Sequence, residues 1–223
     1  MRKEIKILAV IAFVVIIGAF MGANYYRKSV QSVRQPTATA DSRLVRPDSP
    51  TLGAADAPVT VVEFYDPECE SCRAFNPTVK KILKEYDGKV RFVVRYMPLH
   101  SNSMLAATVT EAAGEQGKYW QMQELLFQRQ PEWGERHGQP QSATSQPDAK
   151  TLFEKYAMEL GLNLEKLNSA IEENRYAAKL ERDKKDGQSL GVTRTPTFFV
   201  NGRQLARLGE ADLKSLINEE LKK

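Results

Sequence analysis

Two cysteines occur in the 223 residues, and they stand together as Cys69-Glu70-Ser71-Cys72. Random placement would give that spacing only about once in a hundred chains. The pair lies where an apolar, β-branched run gives way to a helical pattern. Cys69 is therefore expected to face solvent at a helix N-terminus, where the macrodipole and free backbone N–H groups stabilise a thiolate. Cys72, one turn further in, is expected to be more buried and to resolve a mixed disulfide. Thiol exchange needs this asymmetry: one accessible, acidic attacker and one shielded partner within bonding distance. Other uses of the pair fit less well. A structural disulfide closing so short a loop removes little chain entropy. Zinc needs a full set of ligands, and His100 and His137 have the wrong spacing from each other. A c-type haem site needs His directly after the second Cys, where Arg73 stands.

Further positions fall at informative offsets. Glu63 precedes Cys69 by six residues in the apolar run, so its carboxyl is expected to end beneath the cysteines. Burial there would raise its pKa and let it carry the proton of Cys72; a Glu facing the surface at a strand end is the plainer alternative. Pro77 falls inside the helical stripe, where proline must kink a helix. Thr195-Pro196 precedes a second apolar strand, a suitable place for a cis X-Pro bond that exposes the Thr195 backbone to an incoming peptide near Cys69. An ordinary trans proline opening an edge strand is the alternative.

These residues need elements to hold them. Pro58 to Phe64 reads as a buried strand, and Cys69 to Tyr86 as a helix with Phe75, Val79, Ile82 and Tyr86 on one stripe, closed by Asp87-Gly88. Val90 to Tyr96 is the next strand, which makes a βαβ unit and a parallel pair. From Ser101 to about Leu190 the pattern is helical almost throughout, with segments at Met104–Gln116, Lys118–Gln128 and around Leu152–Leu160, and Asn163 as the N-cap of another. Gln130 to Asp148, rich in Gln, Pro, Ser and Gly, reads as a surface loop. Thr197–Val200 is a strand, Asn201-Gly202 a hairpin turn, and Arg203–Leu208 its partner. Ala211–Leu221 closes the chain as an amphipathic helix.

The net charge of +4 is unevenly placed. Residues 1–50 hold eight basic against three acidic side chains, whereas residues 51–223 hold 24 against 25. A near-neutral body argues against nucleic acid as a partner. Ile7 to Ala23 is a run of 17 uncharged, mostly apolar residues, flanked by Arg2, Lys3 and Lys6 and by Tyr25, Tyr26, Arg27 and Lys28. At 1.5 Å per residue it is just long enough to cross a bilayer core of roughly 30 Å. It exceeds the usual apolar stretch of a cleaved signal peptide, and no small-x-small site lies just beyond it, so an uncleaved anchor is the preferred reading over a cleaved signal or a buried helix. Asn24 to about Pro50, with little periodicity and several prolines, reads as a mobile tether.

Strand, CxxC, kinked helix, strand, then Thr-Pro, strand, hairpin and helix resembles the thioredoxin fold. The long helical stretch between Tyr96 and Gly191 resembles the insertion of the DsbA family, in particular its membrane-anchored or lipoprotein BdbD-like branch. EFYDPECESC, VRFVVRYMPLH, AAGEQGKYWQMQELLF and GVTRTPTFFVNG carry the resemblance across about residues 52–221. The organisation it implies is a cytoplasmic N-terminus and anchor (1–23), a tether (24–51), and a thioredoxin fold (52–98 and 191–223) interrupted by helices (99–190). It implies further that Cys69 is the nucleophile, Cys72 the resolving thiol and Pro196 cis, with Thr195 before it. The chain would be a single-pass protein of the cytoplasmic membrane whose α/β catalytic domain works outside, as a monomer. It would oxidise exported cysteine-containing proteins, using no cofactor beyond the Cys69–Cys72 disulfide. A membrane partner of the DsbB or vitamin K epoxide reductase type would reoxidise it.

One departure bears on strength. Glu70-Ser71 replaces the Pro-His dipeptide of the strong oxidants, and Glu68 and Glu70 are expected to oppose the thiolate, with Arg73 offsetting them in part. A shift of tens of millivolts follows, so a milder oxidant is expected. Two rival functions use the same residues. One is a membrane-tethered reductase or isomerase, as in cytochrome c maturation, although those reductases carry Trp-Cys-x-x-Cys and usually lack the long insertion. The other is a non-enzymatic metal- or peptide-binding module built on the Thr195-Pro196 groove.

Overall fold

The computed structural model describes residues 41–135 and 148–223. In chain order the elements are β1 (Thr51–Leu52), β2 (Val59–Tyr65), α1 (Glu70–Glu85), β3 (Val90–Tyr96), α2 (Ser103–Gly114), α3 (Tyr119–Trp133), α4 (Ala149–Glu159), α5 (Leu164–Glu172), α6 (Ala177–Ser189), β4 (Thr197–Val200), β5 (Arg203–Gln204) and α7 (Glu210–Leu221). The strands form one sheet in the order β1-β3-β2-β4-β5. β2 and β3 run parallel in the register Tyr65↔Tyr96, and β4 lies antiparallel to β2 with Phe64 opposite Thr197. This α/β architecture, with helices inserted between β3 and β4, is the one the resemblance implied.

Strand alternation sorts the core into layers. Val59, Val61 and Tyr65 share a face with Phe92, Val94, Tyr96, Phe198 and Val200, covered by Val79 and Ile82 of α1 and Leu213 and Ile217 of α7. Val62, Phe64, Val93 and Phe199 point the other way. Gly187 of α6 meets that face so closely that an added Cβ would lie 3.0 Å from the Phe64 ring. α2 to α5 bury a separate cluster built on Val109, Met122, Leu126, Trp133, Phe153, Tyr156 and Leu167. Asn163 caps α5 as expected, its side chain accepting from the Lys166 N–H at 2.9 Å.

Three sequence expectations need correction. α3 does not stop at Gln128 but runs to Trp133, because Gln130 and Trp133 are buried there and gain partners that composition does not reveal. The partner strand of the final hairpin is only Arg203–Gln204, not Arg203–Leu208. The tether does not extend to Pro50 or residue 51. Leu44 is 2% exposed, Arg46 pairs with Asp186 at 2.8 Å, and Arg95 donates to the Arg43 carbonyl. Thr51 and Leu52 add a short strand to the edge of β3. The anchor expected at residues 7–23 and the tether up to residue 40 lie outside the described residues. Among those described, no helix is long and apolar enough to cross a membrane.

Candidate active site

β2 ends at Tyr65, and a turn from Asp66 to Cys69 leads into α1. The turn is closed by the Cys69 N–H donating to the Asp66 carbonyl at 3.1 Å, and the helix begins as the Arg73 N–H donates to the Cys69 carbonyl at 3.1 Å. Cys69 is the N-cap, with extended backbone (φ −71°, ψ 121°), so its sulfur lies at the open end of the helix. Both cysteines are free thiols. Cys69 is 8% exposed and Cys72 1%, so the attacker is more covered than the sequence reading expected. The Thr195 backbone lies against it, and its carbonyl accepts from the Cys69 thiol at 3.4 Å.

The two sulfurs are driven apart in acidity. Donation from the Cys72 thiol, aided by the Thr195 side chain and the backbone N–H groups of Cys72 and Ser71, brings Cys69 down from 9.0 to about 5, against the opposing effect of burial. Burial pushes Cys72 well above an ordinary thiol, and its hydrogen bond to Cys69 and the charges of Glu63 and Cys69 add to that. Glu63 shares the face of Val61 and Tyr65, so it points beneath α1. Burial, with a smaller contribution from the Cys69 charge, raises its carboxyl from 4.5 to about 8. The strand-end alternative is therefore excluded for Glu63.

The antiparallel register of β4 on β2 brings residues 195 and 196 alongside the end of β2 and the turn after it. The Thr195-Pro196 bond is cis. Thus Glu63, Cys69, Cys72, Thr195 and Pro196, drawn from opposite ends of the sequence, meet at one end of the sheet.

The residues expected to tune the pair divide. Glu70 and Ser71 are exposed and Arg73 is half-buried. Glu68 was expected to set its charge against the thiolate, but its carboxylate is buried and turned to the helical insertion. It accepts from the Asn102 N–H at 2.6 Å, the Asn102 amide at 3.0 Å and the Glu135 N–H at 3.0 Å. Three N–H donors absorb its charge, so Glu68 ties the active-site turn to α2 and α3.

Sequence reasoning missed Asp66, His100, Ser103 and Gln130. Asp66 is fully buried, and its carboxylate accepts from the Leu99 N–H at 2.6 Å, the Glu68 N–H at 2.8 Å, the His100 ring at 2.8 Å and the Ser103 hydroxyl. Gln130 donates to the carbonyls of Pro67 at 2.9 Å and Cys69 at 3.2 Å. One signal was available for the first group. Parallel strands ending in register place the residues after Tyr65 beside those after Tyr96, so Asp66 and the Met97–His100 run had to meet.

The chain matches the thioredoxin family model described as "Thioredoxin" over residues 46–219. It is 31% identical over 180 residues to disulfide bond formation protein D of Bacillus subtilis, a match covering 78% of this chain and 77% of that protein. It is 37% identical over 155 residues to Na(+)/H(+) antiporter NhaA 3 of Salinispora tropica, covering 68% of this chain but only 21% of that longer protein. The crystal structure of oxidised BdbD from B. subtilis superposes with a TM-score of 0.66 at 30% identity, over 78% of this chain and 94% of that one. Fold, cysteine geometry and likeness agree: the chain belongs to the thioredoxin family, within the DsbA-like thiol–disulfide oxidoreductases that include BdbD.

Proposed function

We propose that the chain is a dithiol oxidase held at the outer face of the cytoplasmic membrane by residues 7–23, where it introduces disulfides into exported proteins. The observation that carries this reading is the opposed acidity of two thiols one helical turn apart, Cys69 at about 5 and Cys72 far above the ordinary range. A Cys69 that is mostly thiolate at neutral pH is a good leaving group and stabilises the reduced enzyme, which makes the disulfide form an oxidant.

In the cycle, a substrate thiolate attacks the sulfur of Cys69 in the Cys69–Cys72 disulfide while its peptide pairs with the Thr195 backbone beside Pro196. The S–S bond breaks and Cys72 leaves, taking a proton from the Glu63 carboxylic acid. A second substrate thiolate then attacks the substrate sulfur of the mixed disulfide, and Cys69 departs as a thiolate. The substrate loses two electrons and two thiol protons. The enzyme gains the electrons and holds one proton on Cys72, and the other passes to solvent once Glu63 is reprotonated. A quinone-linked membrane protein of the DsbB or vitamin K epoxide reductase type removes the electrons and restores the disulfide, so no bound cofactor is required. A Cys69 near 5, higher than the most acidic thiols of this chemistry, supports an oxidant of moderate strength.

Thiol trapping in growing cells tests the direction. Acid quenching followed by alkylation is expected to find Cys69 and Cys72 mostly oxidised, and to find them reduced when the membrane quinone pool is blocked. A pair held mostly reduced in untreated cells overturns the oxidase in favour of a reductase.

A further inference from the structure

Asp66 is bonded to the active-site turn at several points. Its carbonyl accepts from the Cys69 N–H, and one carboxylate oxygen accepts from the Glu68 N–H. Its own backbone N–H favours negative charge on Cys72. The other carboxylate oxygen takes Nδ1 of His100 at 2.8 Å together with the N–H groups of Leu99 and His100. The carboxylate is wholly buried, whereas the His100 side chain keeps 21% of its surface. A buried carboxylate needs a counter-charge, and an imidazolium at hydrogen-bond distance supplies one. The Nδ1 contact also fixes which ring nitrogen faces Asp66 and how the ring is turned.

Resting on the reading of Cys69 and Cys72 as a redox pair, we propose that His100, oriented by Asp66, is a positioning residue. It holds a positive charge beside the Cys69 thiolate and couples the redox state of the pair to protonation of the imidazole. Among the described residues, the groups facing His100 include Asp66, Glu68 and Cys69 from the turn, Ser103 from α2, and Glu135 just after α3, which accepts from the neighbouring Ser101 N–H at 3.3 Å. All of these but Ser103 are acidic. Burial works against the His100 charge, but Asp66, then Cys69 and Glu68, more than restore it and raise its pKa above 6.5. Reduction of the disulfide by two electrons from a substrate dithiol leaves a thiolate on Cys69 and a proton on Cys72. Near its own midpoint His100 then binds a further fraction of a proton that the oxidised enzyme does not hold. Such coupling is reciprocal: whatever the imidazolium does for the thiolate, the thiolate does for the imidazolium.

The decisive measurement uses the unmodified full chain in detergent micelles. The sequence has two histidines, so selective 13C labelling at Cε1 gives two titrating signals, and loss of one in His137→Gln assigns the other to His100. The His100 midpoint is expected to be higher in the dithiol than in the disulfide form by about half a unit or more. Equal midpoints in the two redox states overturn the proposal without needing any variant at the site to fold. In His100→Gln, alkylation of Cys69 by iodoacetamide should move to a midpoint about one unit higher, some tenfold less thiolate at low pH, while His100→Lys keeps the low midpoint. An unchanged midpoint in folded His100→Gln also overturns it. These outcomes separate from those of thiol trapping. A pair reduced in cells sinks the oxidase and leaves this coupling intact, whereas equal midpoints sink the coupling and leave the oxidase.

Discussion

Glu63 and Cys72 share the covered face of β2 and α1, where neither tolerates charge, and that makes their titration a stability term as well as a step in exchange. Glu63 titrates at about 8 in the folded protein against 4.5 when unfolded. Between those values the folded chain holds a proton that the unfolded chain has lost, so stability falls as pH rises. Glu63→Gln removes this fall. The variant should match the parent near pH 4.5 and exceed it increasingly towards pH 8, by on the order of 3 kcal/mol at neutral pH, in urea unfolding of the dithiol form. The same variant should slow the release of Cys72 in single-turnover oxidation of a peptide dithiol. A parallel decline of both proteins from pH 5 to 8 would show that Glu63 is not the group responsible. Thr195 acts on the other sulfur. Thr195→Val keeps the shape and removes the hydroxyl that favours the Cys69 thiolate. The midpoint of its iodoacetamide alkylation is expected to rise by about one unit, and no rise would mean that the Cys72 thiol and the backbone N–H groups set the acidity without the hydroxyl. At this scale the cysteines, Glu63 and the Thr-Pro pair could be read from type and spacing. The wrong direction of Glu68 could not, because its partners, Asn102 and Glu135, lie beyond any local pattern.

The elements that position these residues were legible where one periodicity ran unbroken, as in β2, α1 and β3. α3 shows why reading stopped short elsewhere. Gln130-Pro131 carries the composition of a loop, yet the helix continues because its last turn is paid back by tertiary contacts rather than by propensity. Trp133 donates its indole N–H to the Leu126 carbonyl at 3.1 Å and packs edge-on to Phe153. Gln130 reaches across to the active-site turn, and its amide hydrogens satisfy the buried carbonyls of Pro67 and Cys69. Gln130→Leu strips the Pro67 carbonyl of its donor and leaves the Cys69 carbonyl with the Arg73 N–H alone, at a cost of roughly 1–3 kcal/mol. It should also loosen the turn that holds the Cys69 sulfur at the end of α1. The expected result is a lower urea midpoint together with faster amide exchange from Glu68 to Cys72. Loss of stability with unchanged exchange there would confine the role of Gln130 to the insertion.

Across the whole molecule, part of the basic surplus of residues 1–50 has a use that composition does not reveal. Arg95 is wholly buried in β3, where it donates to Asp183 at 2.8 Å and to Asp186 at 2.7 Å, both on α6. Arg46 closes on the same Asp186 through two hydrogen bonds, at 2.9 and 2.8 Å, and Arg182 of α6 reaches back to Asp48 at 2.7 Å. The stretch read as tether is thereby clamped over the α6 side of the sheet, with Leu44 filling the layer of Val62, Phe64 and Val93. The contacts span some 90 to 140 positions of sequence, which is why charge counting located the surplus but not its partners. A domain begun at residue 51 would therefore be incomplete, whereas the compact unit begins at Ala40. Removing residues 40–50 uncovers the apolar layer under Leu44, worth about 2–3 kcal/mol, and takes one of its two arginines from Asp186. The chain begun at Thr51 is expected to be less stable than the chain begun at Ala40 by about 3–5 kcal/mol in urea unfolding at pH 7. Because the clamp is partly buried, most of that difference should survive 0.5 M salt. A difference that vanishes with salt would reduce the clamp to a surface attraction, and equal stability at low salt would return residues 41–50 to the tether.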